Sequence, residues 1–310
     1  MDLERALMIA GRLAPLLVPV VLGAVAGRAR LFKAPEEALG GLNRFALYFA
    51  FPALVVVSLA RTPGEVGATW RFFAVNVGLL AVAVASMGAL ARRLRAEEAP
   101  GAHQLVVLFG NVAYLGLPFA ERVLPPDAFA IAVLGVAVHV TCSLVGGPVL
   151  LLRGASRPPA EVVGRVARQP LVWAPLVGLA VRELPAGPTE VVLELLSPVG
   201  QAAAPVALFV LGLYIYLHRG ALRPSGVRDV MGWAPKLLVM PALALGLGLL
   251  AGLSEVELKA TVTLAAMPTA ITTFAFALDF GVGRDVTVRA IVWSSTLSLV
   301  TLTLLAGWLI

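Results

Sequence analysis

The chain has 310 residues, of which 59% are hydrophobic and 14% are charged, and its mean hydropathy is +0.92. An ordinary soluble domain is about 45–50% apolar, so this composition excludes a soluble globular enzyme, a disordered chain and a disulfide-rich secreted scaffold. Cys142 is the single cysteine, which excludes an intrachain disulfide and a zinc site of paired cysteines. The net charge of +6 lies in short connections between apolar runs, a pattern typical of a membrane protein and not of a nucleic-acid-binding one.

Ten stretches of the chain are long and apolar enough to cross a bilayer, which takes about 20 residues of helix. Barrel strands are an unsuitable alternative, because they are about 10 residues of alternating polarity and these runs are apolar on every face. The connections are too short to hold a soluble domain. The predicted spans are 7–27, 39–60, 70–91, 103–124, 128–152, 169–184, 189–217, 232–253, 257–280 and 286–309.

The distribution of lysine and arginine predicts the orientation. Of the 24 basic residues, 7 flank the spans on the side of the N-terminus, and 17, Lys236 among them, lie on the opposite side. Cytoplasmic connections carry the excess of positive charge, so we expect the second side to be cytoplasmic. The prediction is a multi-pass protein of the plasma (cell inner) membrane with both termini outside the cytoplasm.

The two halves of the chain carry prolines at similar positions. Pro52 in span 2 and Pro205 in span 7 lie about 150 positions apart, as do Pro118 in span 4 and Pro268 in span 9. Five spans is an odd number, so a second half of five enters the membrane from the opposite side, as in many secondary transporters. The sequence predicts an inverted repeat of residues 1–153 and 154–310; coincidence among 22 prolines is the alternative.

Spans 4 and 9 carry helix-breaking sequences near mid-depth, GNVAYLGLP at 110–118 and MPTAITTFAF at 267–276. Proline removes a helix hydrogen bond, and in lipid the freed backbone groups need partners in the protein or in a water-filled cavity. We therefore expect two discontinuous helices whose second halves start at Pro118 and Pro268. Their positive N-terminal ends would attract an anion at the midplane. A cation on the freed carbonyls, or a pair of simple kinks, are the alternatives.

The same residues resemble the auxin efflux carrier family, which includes plant auxin exporters and bacterial carriers. GNVAYLGLPFA at 110–120 is similar to the family signature Gly-Asn-x-x-(aromatic)-Leu-Gly-x-Pro, and MPTAITTFAFALDF at 267–280 is similar to its span-9 stretch. The second segment departs from the plant proteins at Ala270, where they have glycine. LNRFALYFAFPALVVVSLA at 42–60 and QAAAPVALFVLGL at 201–213 also look like family segments.

This resemblance implies an all-helical fold of the sodium/proton-antiporter and bile-acid-symporter type, with broken spans 4 and 9 crossing each other. Spans 3–5 and 8–10 would form a transport domain that moves like an elevator. Spans 1, 2, 6 and 7 would form a scaffold through which the protein forms a homodimer. The substrate would be a small organic anion, auxin-like or a dicarboxylate. Carried over by matching position, Asn111, Pro118 and Pro268 are the substrate-binding residues.

Further polar residues of the predicted spans complete the candidate site. Thr269 and Thr272 follow the span-9 proline, and Tyr114 either offers a hydroxyl to substrate or packs. His139 is the only titratable group that the span map places deep in the membrane, as a proton relay or a bonded core residue. Polar residues that line the cavity or join helices are Gln201 and Asn43.

The sequence indicates a transporter without a cofactor. Three functions stay open: a potential-driven anion carrier, a sodium-coupled symporter and a receptor that does not transport. No Asp or Glu lies at mid-depth, which argues against an aspartate-pair proton antiporter and favours potential-driven anion transport. A sodium-coupled symporter of the bile-acid type is the alternative within transport, and a non-transporting receptor is the alternative outside it. An intramembrane enzyme is not expected, because the chain has neither an HExxH metal pair nor a GxSxG elbow.

Overall fold

The structure is a computed structural model that describes residues 3–62, 68–94, 100–151, 164, 167–223, 226–280 and 283–309. Helices make up all of the regular structure in these residues, apart from a single β-bridge. Within the ranges just given, seven helices are long and apolar enough to cross a membrane. The predicted boundary between the two repeats, at residues 153 and 154, lies outside the described residues.

Helix covers each of the ten predicted apolar stretches. Three of them do not give one long helix, because the helix of stretch 6 has only 13 residues and stretches 4 and 9 are interrupted. The helices are α1 (Leu3–Arg28), α2 (Pro35–Phe45, Ala46–Ala50 and Phe51–Arg61 in one run), α3 (Trp70–Arg93), α4a (Pro100–Leu108), α4b (Leu117–Val123), α5 (Pro126–Leu151), α6 (Pro170–Arg182), α7 (Ala186–Gln201 and Ala203–Leu217), α8 (Val227–Ala234, Pro235–Val239 and Met240–Leu250), α9a (Glu255–Ala265), α9b (Thr272–Phe280) and α10 (Arg284–Leu309).

Helices α1, α2, α6 and α7 form one packed group. The backbones of α1 and α7 touch where glycines replace larger residues: a Cβ added at Gly23 would collide with the carbonyl oxygen of Phe209, and one at Gly212 with that of Val20. Small residues are the usual means by which membrane helices approach closely. Helix α2 packs against both α6 and α7, which completes the group.

Helices α3, α4a, α5, α8, α9a and α10 form a second packed group, joined by buried polar contacts as well as apolar ones. Asn76 on α3 donates from Nδ2 to the Thr261 hydroxyl on α9a at 3.1 Å. Near the start of α9a, Glu257 accepts hydrogen bonds from the backbone N–H and the hydroxyl of Thr69, at 2.8 and 2.7 Å. These hydrogen bonds join α9a to α3 and to the residue that precedes it, and they satisfy polar groups that are buried between the helices.

The interruptions of stretches 4 and 9 cross each other as a short antiparallel bridge between Gly110 and Thr269. The Asn111 N–H donates to the Pro268 carbonyl at 2.7 Å, and the Ala270 N–H donates to the Phe109 carbonyl at 2.8 Å. The breaks are therefore not simple kinks. Each interrupted segment supplies hydrogen-bond partners for backbone groups of the other. Non-helical backbone is tolerated inside a membrane protein when its polar groups are paired in this way.

The second halves do not start at the two predicted prolines. After the first break a wide π turn, Val112–Gly116, already restarts the helix, because the Asn111 carbonyl accepts from the N–H groups of Leu115 and Gly116. Pro118 lies one turn later, near the start of α4b. Pro268 lies inside the second break, where its carbonyl belongs to the bridge, and α9b starts only at Thr272.

Candidate functional site

A cavity of about 600 Å³ lies against the crossing of the two breaks. Its lining comes from the break residues Phe109–Asn111, from α2 and α5, and from the start of α9b. Arg44, in α2, and Arg168, just before α6, line the cavity and are exposed, and both are among the 17 basic residues of the more basic side. Its described lining contains no Asp or Glu, so the field inside it favours an anion.

Five of the nine predicted site residues line this cavity, and four do not. Those that line it are Asn43, Asn111, Tyr114, His139 and Thr272. The prolines Pro118 and Pro268 and the residue Thr269 are not part of the lining. Gln201 lines a separate cavity of about 310 Å³, together with Arg61 and Glu121.

Asn111 offers a free hydrogen-bond donor at the crossing. Its side chain is 2% exposed, and its Nδ2 atom is buried without a hydrogen-bond partner among the described residues. The side chain does not cap the turn that follows it, which its backbone carbonyl starts instead. An unpaired buried amide costs free energy, and a bound carboxylate would supply the missing acceptor.

The hydroxyl of Tyr114 is bonded inside the protein. It donates to the Oδ1 atom of Asn43 on α2, and its ring stacks on Phe51 with centroids 5.1 Å apart. Tyr114 and Asn43 thus join the turn that follows the first break to α2 at the cavity. The hydroxyl would reach a substrate only by leaving Asn43.

His139 lines the cavity and is hydrogen-bonded to α3. Its Nε2 atom lies 3.0 Å from Asn76 Oδ1, and Asn76 donates through Nδ2 to the Phe72 carbonyl and to Thr261. This network assigns the proton to Nε2, because Oδ1 is the acceptor of that contact. The Nδ1 atom is left buried without a partner among the described residues.

Thr269 stabilises the crossing through hydrogen bonds to two neighbouring helices. The residue is fully buried; its hydroxyl donates to the Val106 carbonyl at 3.2 Å, and its N–H donates to the Ser294 hydroxyl at 3.0 Å. It thereby bonds the second break to α4a and to α10. All of its described bonds are to the protein, and none is directed at the cavity.

The carbonyls at the end of α4a, which the sequence offered as a cation site, already accept hydrogen bonds. A cation there would have to displace these donors, one of which is itself an ammonium group. The pairs are the Val106 carbonyl with the Thr269 hydroxyl (3.2 Å), Val107 with Lys236 Nζ (3.3 Å), Leu108 with the Ser143 hydroxyl (3.0 Å) and Phe109 with the Ala270 N–H (2.8 Å). No group of three or more metal-ligating side chains occurs in the described part of the chain.

Lys236 is the functional candidate that the sequence reasoning missed. Its place near the start of predicted span 8 assigns it to the cytoplasmic charges. In the structure it is fully buried in α8, with its ammonium on the α4a carbonyl of Val107. His139 is therefore not the only deep titratable group. The available signal was that a lysine lay inside an apolar span, where ionisable residues are rare and usually functional.

The sequence is similar to those of known membrane transporters along most of its length. Residues 8–158 and 159–306 match the family described as membrane transport protein. A putative malonate transporter of Rhizobium meliloti (strain 1021) is 28% identical over 284 residues, which cover 89% of this chain and 88% of the relative.

Two further relatives are more distant but equally extensive. An uncharacterized transporter of Methanothermobacter thermautotrophicus is 24% identical over 274 residues, or 87% of this chain and 88% of that protein. The uncharacterized transporter YfdV of Escherichia coli (strain K12) is 24% identical over 290 residues, or 88% of each chain. The chain is thus similar to transporters along nearly its whole length.

Proposed function

The chain belongs to the membrane transport protein family, that of the auxin efflux carriers, and from this premise we propose that it is a secondary carrier of a small organic anion. The observation that carries the proposal is the cavity at the crossing, which has arginines at its mouth and an unpaired Asn111 amide in its wall. Such a site attracts an anion electrostatically and gives its carboxylate a hydrogen-bond donor.

A dicarboxylate is the first substrate to test, because one relative carries the name putative malonate transporter. An auxin-like aromatic acid is the second, since Phe109, Tyr114 and Phe276 give the cavity an aromatic side. Malonate and an indole acid share a carboxylate and differ in charge and ring. The affinities of the two anions therefore distinguish a site that selects its substrate by charge from one that selects it by contact with an aromatic ring.

The proposed mechanism is an elevator built from a ten-span inverted repeat. The scaffold would be α1, α2, α6 and α7, with the homodimer formed through it, and the transport domain would be α3–α5 and α8–α10. The two packed groups of helices and the crossed breaks inside one of them support this division. With the orientation predicted from the basic residues, the cavity faces the cytoplasm, as an anion exporter of the inner membrane requires before loading.

Transport driven by the membrane potential is the proposed energy source. The described carbonyls at the end of α4a are engaged by protein donors, which does not favour sodium at that place. Sodium coupling remains a separate outcome of the test below. The anion and the lipid bilayer are the proposed partners, and the mechanism uses no cofactor.

A thermal-shift screen of the purified protein tests the binding step. Malonate, an indole acid and acetate are each titrated with sodium or with potassium as the only cation. We expect saturable stabilisation by at least one organic anion, equal in both salts. Asn111→Ala should reduce this stabilisation, because it removes the unpaired amide of the cavity wall. Gln201→Ala is the matched control, because it removes an amide that does not line the cavity. Absence of any anion response would contradict the proposal, and a response only in sodium would favour the symporter.

A further inference from the structure

Lys236 is a lysine held beside the crossing on the far side of the cavity wall. It lies in the π turn Pro235–Val239 of α8, is 0% exposed, and donates from Nζ to the Val107 carbonyl at 3.3 Å. A Cβ added at Gly110 would lie 3.0 Å from Nζ, so the glycine allows the ammonium to reach the break. Gly110 also lines the cavity. One residue of backbone therefore separates the ammonium from the site.

No carboxylate among the described residues forms an ion pair with Lys236. Two acidic residues pair with other cations, Glu255 with Lys259 and Asp229 with Arg289. What the structure gives Lys236 instead is the C-terminal end of α4a, whose carbonyls carry about half a negative charge in total. A protonated Lys236 exceeds this, so the crossing then has a net positive charge that an anion in the cavity offsets, and the bound anion in turn stabilises the protonated form of the buried amine.

We propose that Lys236 sets the preference of the site for dianions over monoanions by acting on the bound substrate through the Gly110 backbone. The inference rests on the proposed function and names its substrate class, small dicarboxylates. Arg44 and Arg168 are exposed and screened by solvent, whereas Lys236 is buried and acts without that screening. The lysine is a positioning charge: it does not line the cavity, so it acts without touching the substrate.

The size of the effect follows from Coulomb's law. A unit charge that acts on another across about 8–12 Å, at an effective dielectric of about 20, changes an affinity by about 10- to 30-fold. A dianion feels this attraction on both carboxylates, and a monoanion feels it once. Removal of the lysine charge should therefore weaken a dianion about tenfold more than a monoanion of the same shape.

The test compares malonate with its monoamide, which has nearly the same shape and one charge less. Lys236→Gln removes the charge and keeps an N–H donor for the Val107 carbonyl, and Lys236→Arg keeps the charge. Affinities are measured by calorimetry on purified protein at pH 6.5, where the lysine is mainly protonated and malonate is mainly a dianion. We expect the malonate-to-monoamide affinity ratio to fall about tenfold in Lys236→Gln and to be kept in Lys236→Arg.

Lys259→Gln is the matched control, because that lysine pairs with Glu255 and lies outside the cavity lining; its ratio should equal that of the wild type. If Lys236→Gln does not fold, Lys236→Met is measured in its place, since it also removes the charge. A wild-type protein that binds malonate while the uncharged variant keeps the same ratio overturns the inference alone. A wild-type protein that binds neither malonate nor its monoamide overturns the inference, and the proposed function falls with it only if the thermal-shift screen also finds no stabilising anion.

Discussion

Replacement of Asn111 should separate binding from folding. The Nδ2 atom is buried without a described partner, and the side chain does not cap the π turn. Asn111→Ala therefore removes no described side-chain hydrogen bond of the protein, and relief of an unsatisfied amide offsets the small loss of packing. We expect the free energy of unfolding to change by less than about 1 kcal/mol.

The same replacement should weaken anion binding strongly. A hydrogen bond to a charged group contributes about 1.5–3 kcal/mol, so the dissociation constant should rise about 10- to 100-fold. Asn111→Asp is nearly isosteric and adds a negative charge to a described lining that has none, so it should weaken binding further than alanine does.

Calorimetry and thermal melting of the same preparations supply the assay. The reasoning requires a variant that melts close to the wild type and binds malonate or the best anion of the screen much more weakly. A large loss of melting temperature without ligand would show that the Asn111 amide holds the fold together. An unchanged affinity would show that the amide does not contact the anion.

Two further replacements test the crossing and the scaffold. Thr269→Val removes the hydroxyl that donates to the Val106 carbonyl, and a lost buried hydrogen bond should destabilise the protein by about 1–3 kcal/mol. Thr303→Val is its control and should change the melting temperature little, because the Thr303 hydroxyl donates to the Leu299 carbonyl of its own helix and this bond is exposed. Gly212→Val should abolish recovery of folded protein, because its Cβ collides with the α1 backbone; Gly11→Ala, which has open space around it, should be recovered normally.

Hydropathy and proline position were sufficient to predict where the helices lie and where two of them break. The lengths of the breaks were not predictable, because they depend on a bridge between Gly110 and Thr269, residues far apart in the chain. For this reason Pro268 belongs to the bridge and does not start a helix. Proline indicates that a helix is interrupted, whereas tertiary partners decide where it resumes.

The roles of individual polar residues were less predictable than the place of the site. Asn111 lines the cavity, as expected, but Thr269 is bonded within the crossing, and Gln201 lies in another cavity. Lys236 was missed because charge counting assigns a basic residue near a span end to the adjacent connection. Only the packing of α8 against α4a shows that its ammonium is turned inward to a carbonyl.

Uptake of labelled malonate into proteoliposomes under an imposed membrane potential tests the central claim most directly. With wild-type protein we expect flux whose size follows the potential, that does not require sodium, and that falls at least tenfold in Asn111→Ala at subsaturating malonate. The indole acid is run in parallel, so that a carrier of the other substrate class is also detected. Flux of both anions no greater than in protein-free liposomes would contradict the account.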